Sequence, residues 1–218
     1  MRRAIAAAMS RSKREIPHYY LEHSIDISKA QDWLQAHNAE RTPEQRLLLG
    51  ALLVRAAALT LKQTPELNGY YTDGRFDPSS SVHIGMAINI RGGGLVVPAL
   101  LDADQASLEQ LMERLKDLTG RARHGGLRSS EMSAATVTLT SLGDRGVDSV
   151  LGVIFPPQVA ILGFGTPVLR PWITDTGSVE ARPVLRVTLA ADHRVSDGHL
   201  GARFLRELTR KLQSPESL

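Results

Sequence analysis

A histidine and a carboxylate lie four residues apart near the C-terminus, where a strand pattern changes into a helix pattern. They belong to the segment Asp192-His193-Arg194-Val195-Ser196-Asp197-Gly198. Residues 184–190 alternate between apolar and polar types, which predicts a half-buried strand. Apolar residues recur at helical spacing after the segment, at Leu200, Phe204, Leu205, Leu208 and Leu212. A neutral imidazole on a loop braced by two rigid elements is suited to taking up a proton near neutral pH.

The same two residues also fit a structural interpretation, in which Asp197 caps the helix and His193 is a polar loop residue. Spacing alone leaves both interpretations open. Because the sequence has no cysteine, disulfides, thiolate metal sites and cysteine nucleophiles are excluded. The seven histidines form no His-x-x-x-His pair, and the Gly-x-Ser-x-Gly elbow of serine hydrolases is missing. We therefore predict a site without a metal ion.

Composition indicates an ordinary globular domain. The chain has 218 residues, of which 42% are hydrophobic and 22% charged, enough for one substantial core. The net charge is +3, and the densest basic cluster lies near the N-terminus, but aromatic residues make up only 5%, which argues against a nucleic-acid partner. The most apolar run, residues 47–61, is interrupted by Arg55 and is too short for a membrane span. No signal peptide is recognisable, so we expect a soluble, cytoplasmic protein without a membrane partner.

Residue patterns predict an α+β domain with a mixed or mostly antiparallel sheet. Residues 3–14 should form a helix that Pro17 stops, and residues 19–27 a strand. Thr42-Pro43-Glu44-Gln45 reads as a capped helix start, with the helix continuing to about Gln63. Residues 82–90 should form one strand, closed by Gly92-Gly93-Gly94 and paired with residues 95–100.

The second half of the chain is predicted in the same way. Ser107-Leu108-Glu109-Gln110 opens a capped helix that Gly125-Gly126 ends. Further strands are expected over residues 136–141, 159–163 and 184–190. No linker divides the chain, so we predict one domain over residues 1–218.

The segment around His193 resembles the Asp-His-Arg-x-x-Asp-Gly signature of the dihydrolipoamide acyltransferases, the core components of 2-oxo acid dehydrogenase complexes. The resemblance extends along nearly the whole chain. Its other parts are Ser12-Lys13-Arg14-Glu15-Ile16-Pro17-His18, His83-Ile84-Gly85-Met86-Ala87 with Gly93-Gly94-Leu95-Val96-Val97-Pro98, and residues 136–143 followed by Pro156-Pro157-Gln158. These stretches are collinear with the family pattern.

The resemblance implies a fold like that of chloramphenicol acetyltransferase, with a mixed sheet and flanking helices, and a homotrimer with active sites at the subunit interfaces. It also implies a reaction, in which an acyl group passes from a dihydrolipoyl thioester to coenzyme A. The implied partners are a lipoyl domain acting in trans, and the decarboxylase and dihydrolipoamide dehydrogenase components. Neither a lipoyl domain nor a peripheral-subunit-binding domain is recognisable in this sequence. The short polar C-terminus argues against assembly into a large shell.

Roles for individual residues follow from the same resemblance. His193 corresponds to the general base, and Thr140 stands where the family has a serine that stabilises the oxyanion. Ser141 is the alternative donor, although on a strand it would point to the opposite face. Asp197 is expected to support the histidine loop by pairing with Arg11, for which a solvated helix position is equally compatible.

We assign no chemical role to Asp192 and Arg194, although they belong to the signature. His18 and His124 are expected to be ordinary loop or surface residues rather than ligands. The alternative to catalysis is a trimeric scaffold subunit of the same assembly. An antibiotic O-acetyltransferase is a third possibility by fold analogy alone, but Asp192 stands where those enzymes have a second histidine. The acyl group itself is not specified by these motifs.

Overall fold

The computed structural model describes residues 2–90, 94–142 and 146–218. Gly92, Gly93 and Gly143, which appear in the predicted motifs, lie outside these ranges. The α-helices are α1 (Arg2–Glu15), α2 (Ser28–Asn38), α3 (Leu49–Lys62), α4 (Leu108–His124), α5 (Ser129–Ser133) and α6 (Gly198–Leu212). The strands are β1 (His18–Asp26), β2 (Gly69–Thr72), β3 (Arg75–Pro78), β4 (Ile84–Met86), β5 (Ile88–Ile90), β6 (Gly94–Val96), β7 (Ala99–Leu100), β8 (Val137–Ser141), β9 (Ala160–Phe164), β10 (Val168–Ile173) and β11 (Val179–Asp192).

The main sheet is mixed, as predicted. Its strands lie in the order β1-β11-β9-β8-β4-β7, and β10 pairs with the first half of β11. The β4–β8 and β8–β9 pairs are parallel, whereas β1–β11, β9–β11, β10–β11 and β4–β7 are antiparallel. Two separate hairpins, β2–β3 and β5–β6, lie outside this sheet. The α+β class is therefore confirmed.

One face of the sheet is apolar and carries the core. Leu189, Leu162 and Leu139 lie opposite one another on β11, β9 and β8, and all three are buried. Helices α3 and α6 pack against each other and belong to the same core cluster, to which α6 contributes Phe204 and Leu208. The strand and helix periodicities around residue 193 thus both arise from this core.

Across the described part of the chain, we find no helix with the length and apolar character needed to cross a bilayer.

The opposite face is polar at its centre. Thr140, Gly163 and Thr188 lie in one row across β8, β9 and β11. The Thr188 hydroxyl donates a hydrogen bond to the Val150 carbonyl, which ties residues 147–152 down onto this face. A β-carbon at Gly163 would clash with the Val150 carbonyl oxygen and the Thr188 hydroxyl. The missing side chain at Gly163 therefore lets residues 147–152 cross this row close to the sheet.

The predicted start of the helix at Thr42 is wrong. Pro43–Gln45 forms only a 3₁₀ turn, Arg46 is extended, and α3 begins at Leu49. The physical reason is a tertiary contact, because the Asn38 side chain donates to the Leu47 carbonyl and accepts from the Leu47 N–H, each at 2.9 Å. These two bonds hold the Leu47 backbone between Arg46 and Leu48, which are both extended, while the Leu47 side chain lies in the core. The helical path is therefore interrupted at this point.

The single strand predicted over residues 82–90 is divided. It is divided at Ala87, where the pairing partners change. β4 lies in the main sheet between β7 and β8, while β5 pairs with β6 in a separate hairpin. The capped start and the glycine end of α4 are confirmed, with Ser107 and Gln110 forming the capping box and Gly125 at φ 77°. Helix α2, hairpin β2–β3 and strand β10 were not anticipated.

Substituting Gly163 with alanine should destabilise the protein by about 1–3 kcal/mol, because the added methyl forces residues 147–152 away from the sheet. Chemical denaturation gives the free energy of unfolding. Gly120→Ala is the matched control, since Gly120 lies within α4 with open space around it and alanine there should stabilise by up to about 1 kcal/mol. Equal effects of the two substitutions would show that the crossing segment is not held against Gly163.

Candidate active site

His193 lies on a tight turn between β11 and α6. Its main-chain N–H donates to the Pro17 carbonyl at 2.9 Å, which attaches the turn to the segment between α1 and β1. The N–H groups of Val195 and Ser196 both donate to the Asp192 carbonyl at 3.0 Å and close the turn. The imidazole is exposed and meets the Tyr19 ring edge-on, with 5.3 Å between the ring centroids. The backbone at His193 is therefore held while its ring stays accessible.

The Asp192 carboxylate forms the base of this turn and is fully buried. It accepts from the Arg194 main-chain N–H and Nε at 2.9 Å and from Nη2 at 2.7 Å. The Arg194 guanidinium also stacks on the Tyr71 ring of β2, 3.9 Å from its centroid. Hydrogen bonding to Asp192 raises the pKa of Arg194 above its ordinary value. Both signature residues thus have a structural role, which is to fix the turn from below.

Asp197 is the N-cap of α6. Its carboxylate accepts from the Leu200 N–H at 2.9 Å, and this bond is the main cause of its lowered pKa. The predicted partner, Arg11, instead bonds to Glu15 at 2.8 Å on the surface of α1. Within residues 2–90, 94–142 and 146–218 of this single chain, no hydrogen bond or ion pair joins Arg11 to Asp197. The predicted pairing is therefore not found, and Asp197 supports the loop by starting the helix.

Thr140 and Ser141 point to opposite faces of the sheet, as expected for successive strand residues. Ser141 is exposed and lies opposite Phe164, whose side chain belongs to the core face. Thr140 is half-buried on the polar face, in the row with Gly163 and Thr188. The two candidate oxyanion donors thus have different surroundings, and only Thr140 lies on the face that residues 147–152 cross.

A single chain does not bring His193 and Thr140 together. Thr140 is two strands away from β11, in register with Thr188, which precedes His193 by five residues. At about 3.3 Å per residue and about 4.8 Å between strands, the two residues are on the order of 19 Å apart. Moreover, the Tyr19 ring that contacts His193 belongs to the core side of the sheet, whereas Thr140 lies on the polar side.

His18 was expected to be an ordinary loop residue, and that expectation is wrong. Its Nε2 accepts a hydrogen bond from the Ile154 N–H at 3.1 Å, so its Nδ1 carries the proton and donates to the Ile16 carbonyl at 2.8 Å. Burial is the main cause of its lowered pKa. The neutral ring thus ties the start of β1, where His18 lies opposite Asp192, to the backbone of Ile154. His124 is an exposed helix residue, as expected.

Several residues near the turn have no functional role in the sequence-based prediction. Tyr71, Gln158 and Arg194 line a cavity of about 340 Å³ together with Arg11 and Glu15. A larger groove of about 930 Å³ shares Gln158 and runs between α1, the β2–β3 hairpin and β6. Hairpin β2–β3 gave no recognisable pattern, since its strands are only four residues long. Tyr19, by contrast, directly follows the family-like segment that ends at Pro17-His18, so its proximity to the site can be suspected from the sequence.

The family model described as "2-oxoacid dehydrogenases acyltransferase (catalytic domain)" matches residues 1–218. The chain belongs to this family. Among curated relatives, the acetyltransferase component of the Schizosaccharomyces pombe mitochondrial pyruvate dehydrogenase complex is 32% identical over 99% of the chain, and that of Staphylococcus aureus is 36% identical over 100%. The acyltransferase domain spans 45% and 51% of these proteins, about half of their length.

Solved structures of the family are similar to this acyltransferase domain throughout. A probable dihydrolipoamide acetyltransferase from Listeria monocytogenes is 31% identical with a TM-score of 0.91, covering 98% of this chain and 92% of the other. The cubic core of a pyruvate dehydrogenase complex is 30% identical with a TM-score of 0.92, covering 99% and 89%. Chloramphenicol acetyltransferase is only 13% identical but shares the fold, with a TM-score of 0.62 over 96% and 93%. The predicted family and fold are both confirmed.

Arg194→Met should destabilise the domain by about 3 kcal/mol, because it leaves the buried Asp192 carboxylate without its main charged partner. Denaturant unfolding measures the change. The control is Arg210→Met, which removes an exposed ion pair with Glu207 and should cost less than about 1 kcal/mol. If both substitutions cost the same, the Asp192–Arg194 pair does not hold the turn.

The stability of the domain should fall as the pH drops below about 6.5, and His18 should account for part of the fall. Its pKa is lower in the folded than in the unfolded chain, so acid favours the unfolded chain, which binds the proton more readily. The stabilising contribution is therefore present above the ordinary histidine pKa and is lost below it. Unfolding curves between pH 7.5 and 5.5 should show a shallower decline for His18→Gln than for the parent. The control is His124→Gln, at an exposed histidine, which should leave the decline of stability with falling pH as steep as in the parent. An equally steep decline in His18→Gln would refute the assignment to His18.

Proposed function

We propose that this domain transfers an acyl group from a dihydrolipoyl thioester to coenzyme A, with His193 as general base. The observation that carries the proposal is the accessible imidazole on a turn whose backbone is fixed at Pro17 and Asp192. The family assignment and the named activities of its relatives support the reaction class. The histidine retained in the signature favours catalysis over a purely scaffolding role.

The chemistry of thiols explains why a base is needed. A thiol with a pKa of about 8.5 is mostly protonated at neutral pH, although the thiolate is the nucleophile. The imidazole takes the thiol proton as the coenzyme A sulfur forms its bond to the thioester carbon. When the tetrahedral intermediate collapses, the carbon–sulfur bond to the dihydrolipoyl group breaks and the imidazolium returns the proton to that leaving thiolate. No covalent acyl-enzyme is required.

Thr140 is the proposed donor to the oxyanion of the intermediate. Its hydroxyl can serve like that of a serine, while its extra methyl restricts the side-chain rotamer. Since His193 and Thr140 of one chain lie on the order of 19 Å apart by sheet geometry, a direct role for both requires two chains. This separation supports an active site between subunits of a homotrimer.

An apolar hairpin face supports self-association. On β10 and β11, Leu169, Ile173 and Val179 are 69%, 72% and 69% exposed. Leu169 lies opposite Pro183, and Ile173 lies opposite Val179, so both of these cross-strand pairs are apolar. The face continues the core side of β11 beyond the region that the helices cover, and exposed apolar surface of this kind is typical of protein interfaces.

The substrates and partners follow from the same proposal. The lipoyl group would be delivered by a lipoyl domain, and the decarboxylase and dihydrolipoamide dehydrogenase components would complete the cycle. We propose a cytoplasmic location and a trimer as the basic assembly. Acyl-group selectivity of one methylene corresponds to only about 1–3 kcal/mol, so assays with acetyl, succinyl and branched-chain donors are the direct way to define the substrate.

Two variants test the residue roles and the shared site together. His193→Ala should abolish acylation of coenzyme A by acyl-dihydrolipoamide, and Thr140→Val should lower kcat by about 10²–10³-fold. When the two variants are co-expressed with different tags and the mixed trimers isolated, about a third of the sites should combine an intact His193 with an intact Thr140 and regain activity.

The control is a co-expression in which both differently tagged chains are His193→Ala, and the oligomers isolated from it should remain inactive. Full activity of His193→Ala would overturn the proposed base. Inactive single variants with no recovery in the mixed oligomers would overturn the shared site.

A further inference from the structure

Tyr19 contacts both ends of the turn that carries His193. Its ring meets the imidazole edge-on at 5.3 Å and 68°, and its hydroxyl shares a hydrogen bond of 2.9 Å with the Ser196 hydroxyl. Ser196 is also tied to the Asp192 carbonyl through its N–H. A single side chain from β1 therefore spans the turn from His193 to Ser196.

The Tyr19 ring is itself held in place. Tyr19 lies opposite Ala191 on β11, so its ring stands directly beneath the turn. Gly201 on α6 approaches from the other side, where an added β-carbon would lie 3.1 Å from Tyr19 Cε2 and 2.7 Å from Leu21 Cδ1. Burial raises the pKa of the Tyr19 hydroxyl, which keeps it protonated and available for the bond to Ser196.

We propose that Tyr19, together with Ser196, is a positioning residue for His193, fixing the direction of an imidazole that would otherwise rotate freely at the surface. The inference rests on the proposed function, because it assumes that His193 accepts the thiol proton. Tyr19 supplies two separable contacts. The ring limits the rotamers of the imidazole, and the hydroxyl prevents the far end of the turn from opening.

The two contacts can be removed one at a time. Tyr19→Phe and Ser196→Ala each remove the hydroxyl bond, while Tyr19→Leu removes both contacts. We expect a kcat decrease of about 3-fold for each of the first two, and no further decrease when they are combined, because both delete the same bond. Tyr19→Leu should lower kcat by about 10–100-fold, since small misplacements of a catalytic group are costly. KM for coenzyme A should stay within about 2-fold of the parent.

Tyr70→Phe is the matched control. Tyr70 is also half-buried, and its hydroxyl bonds to the main-chain carbonyls of Ala134 and Ala135. This variant should resemble Tyr19→Phe in stability but retain the parent kcat. If Tyr19→Phe retains a higher kcat than Tyr19→Leu while the two variants have equal thermal stability, the loss of kcat in Tyr19→Leu comes from mispositioning and not from a general loss of folding.

The outcomes distinguish the two proposals. Parent-like kcat in Tyr19→Leu, with His193→Ala inactive, would overturn the positioning role and leave the proposed function standing. Additive losses in Tyr19→Phe/Ser196→Ala would also contradict the shared bond. An active His193→Ala would remove the proposed function itself. In that case the ring contact is tested by the NMR shift of the His193 imidazole, which should change in Tyr19→Leu and stay close to the parent value in Tyr19→Phe.

Discussion

The fully buried Asp192 carboxylate constrains the whole of the candidate site. A carboxylate removed from water must be paired and hydrogen-bonded, and Arg194 meets that need from two residues further along the chain. To do so, the chain must turn sharply directly after β11, and the same turn presents His193 to solvent. Tyr71 stacks on the guanidinium and thereby connects the turn to hairpin β2–β3. The position of the histidine is thus a consequence of satisfying a buried charge.

The two sides of the sheet have separate tasks. The apolar side joins β1, β11, β9 and β8 to α3 and α6, and it also holds Tyr19 under the His193 turn. The polar side carries Thr140 and is crossed by the segment tied down at Val150. His193 and Thr140 therefore cannot contact the same substrate within one chain, and the roles proposed for them require two chains. The exposed apolar face of β10 and β11 offers a surface through which a second chain could supply the missing half.

Local patterns were sufficient for much of the fold. The alternation of β1 and β11, the capping box of α4 and the amphipathic spacing of α6 each follow from neighbouring residues, and the structure confirms them. Predictions failed where a distant residue decided the backbone path. Asn38 holds the Leu47 backbone and so displaces the start of α3, and pairing with β8 places β4 in the main sheet, apart from β5. Neither contact leaves a trace in the local sequence.

The sequence by itself determined the family, the mixed α+β fold and the histidine signature, because these depend on motifs and periodicities that are continuous along the chain. Only the tertiary structure decided what the signature residues do. It assigns Asp192 and Arg194 to the base of the turn and makes Asp197 a helix cap. It also gives His18 a bridging role and separates His193 from Thr140. The physical reason is that burial, hydrogen-bond partners and sheet register arise between segments far apart in sequence, and spacing along one segment cannot specify them.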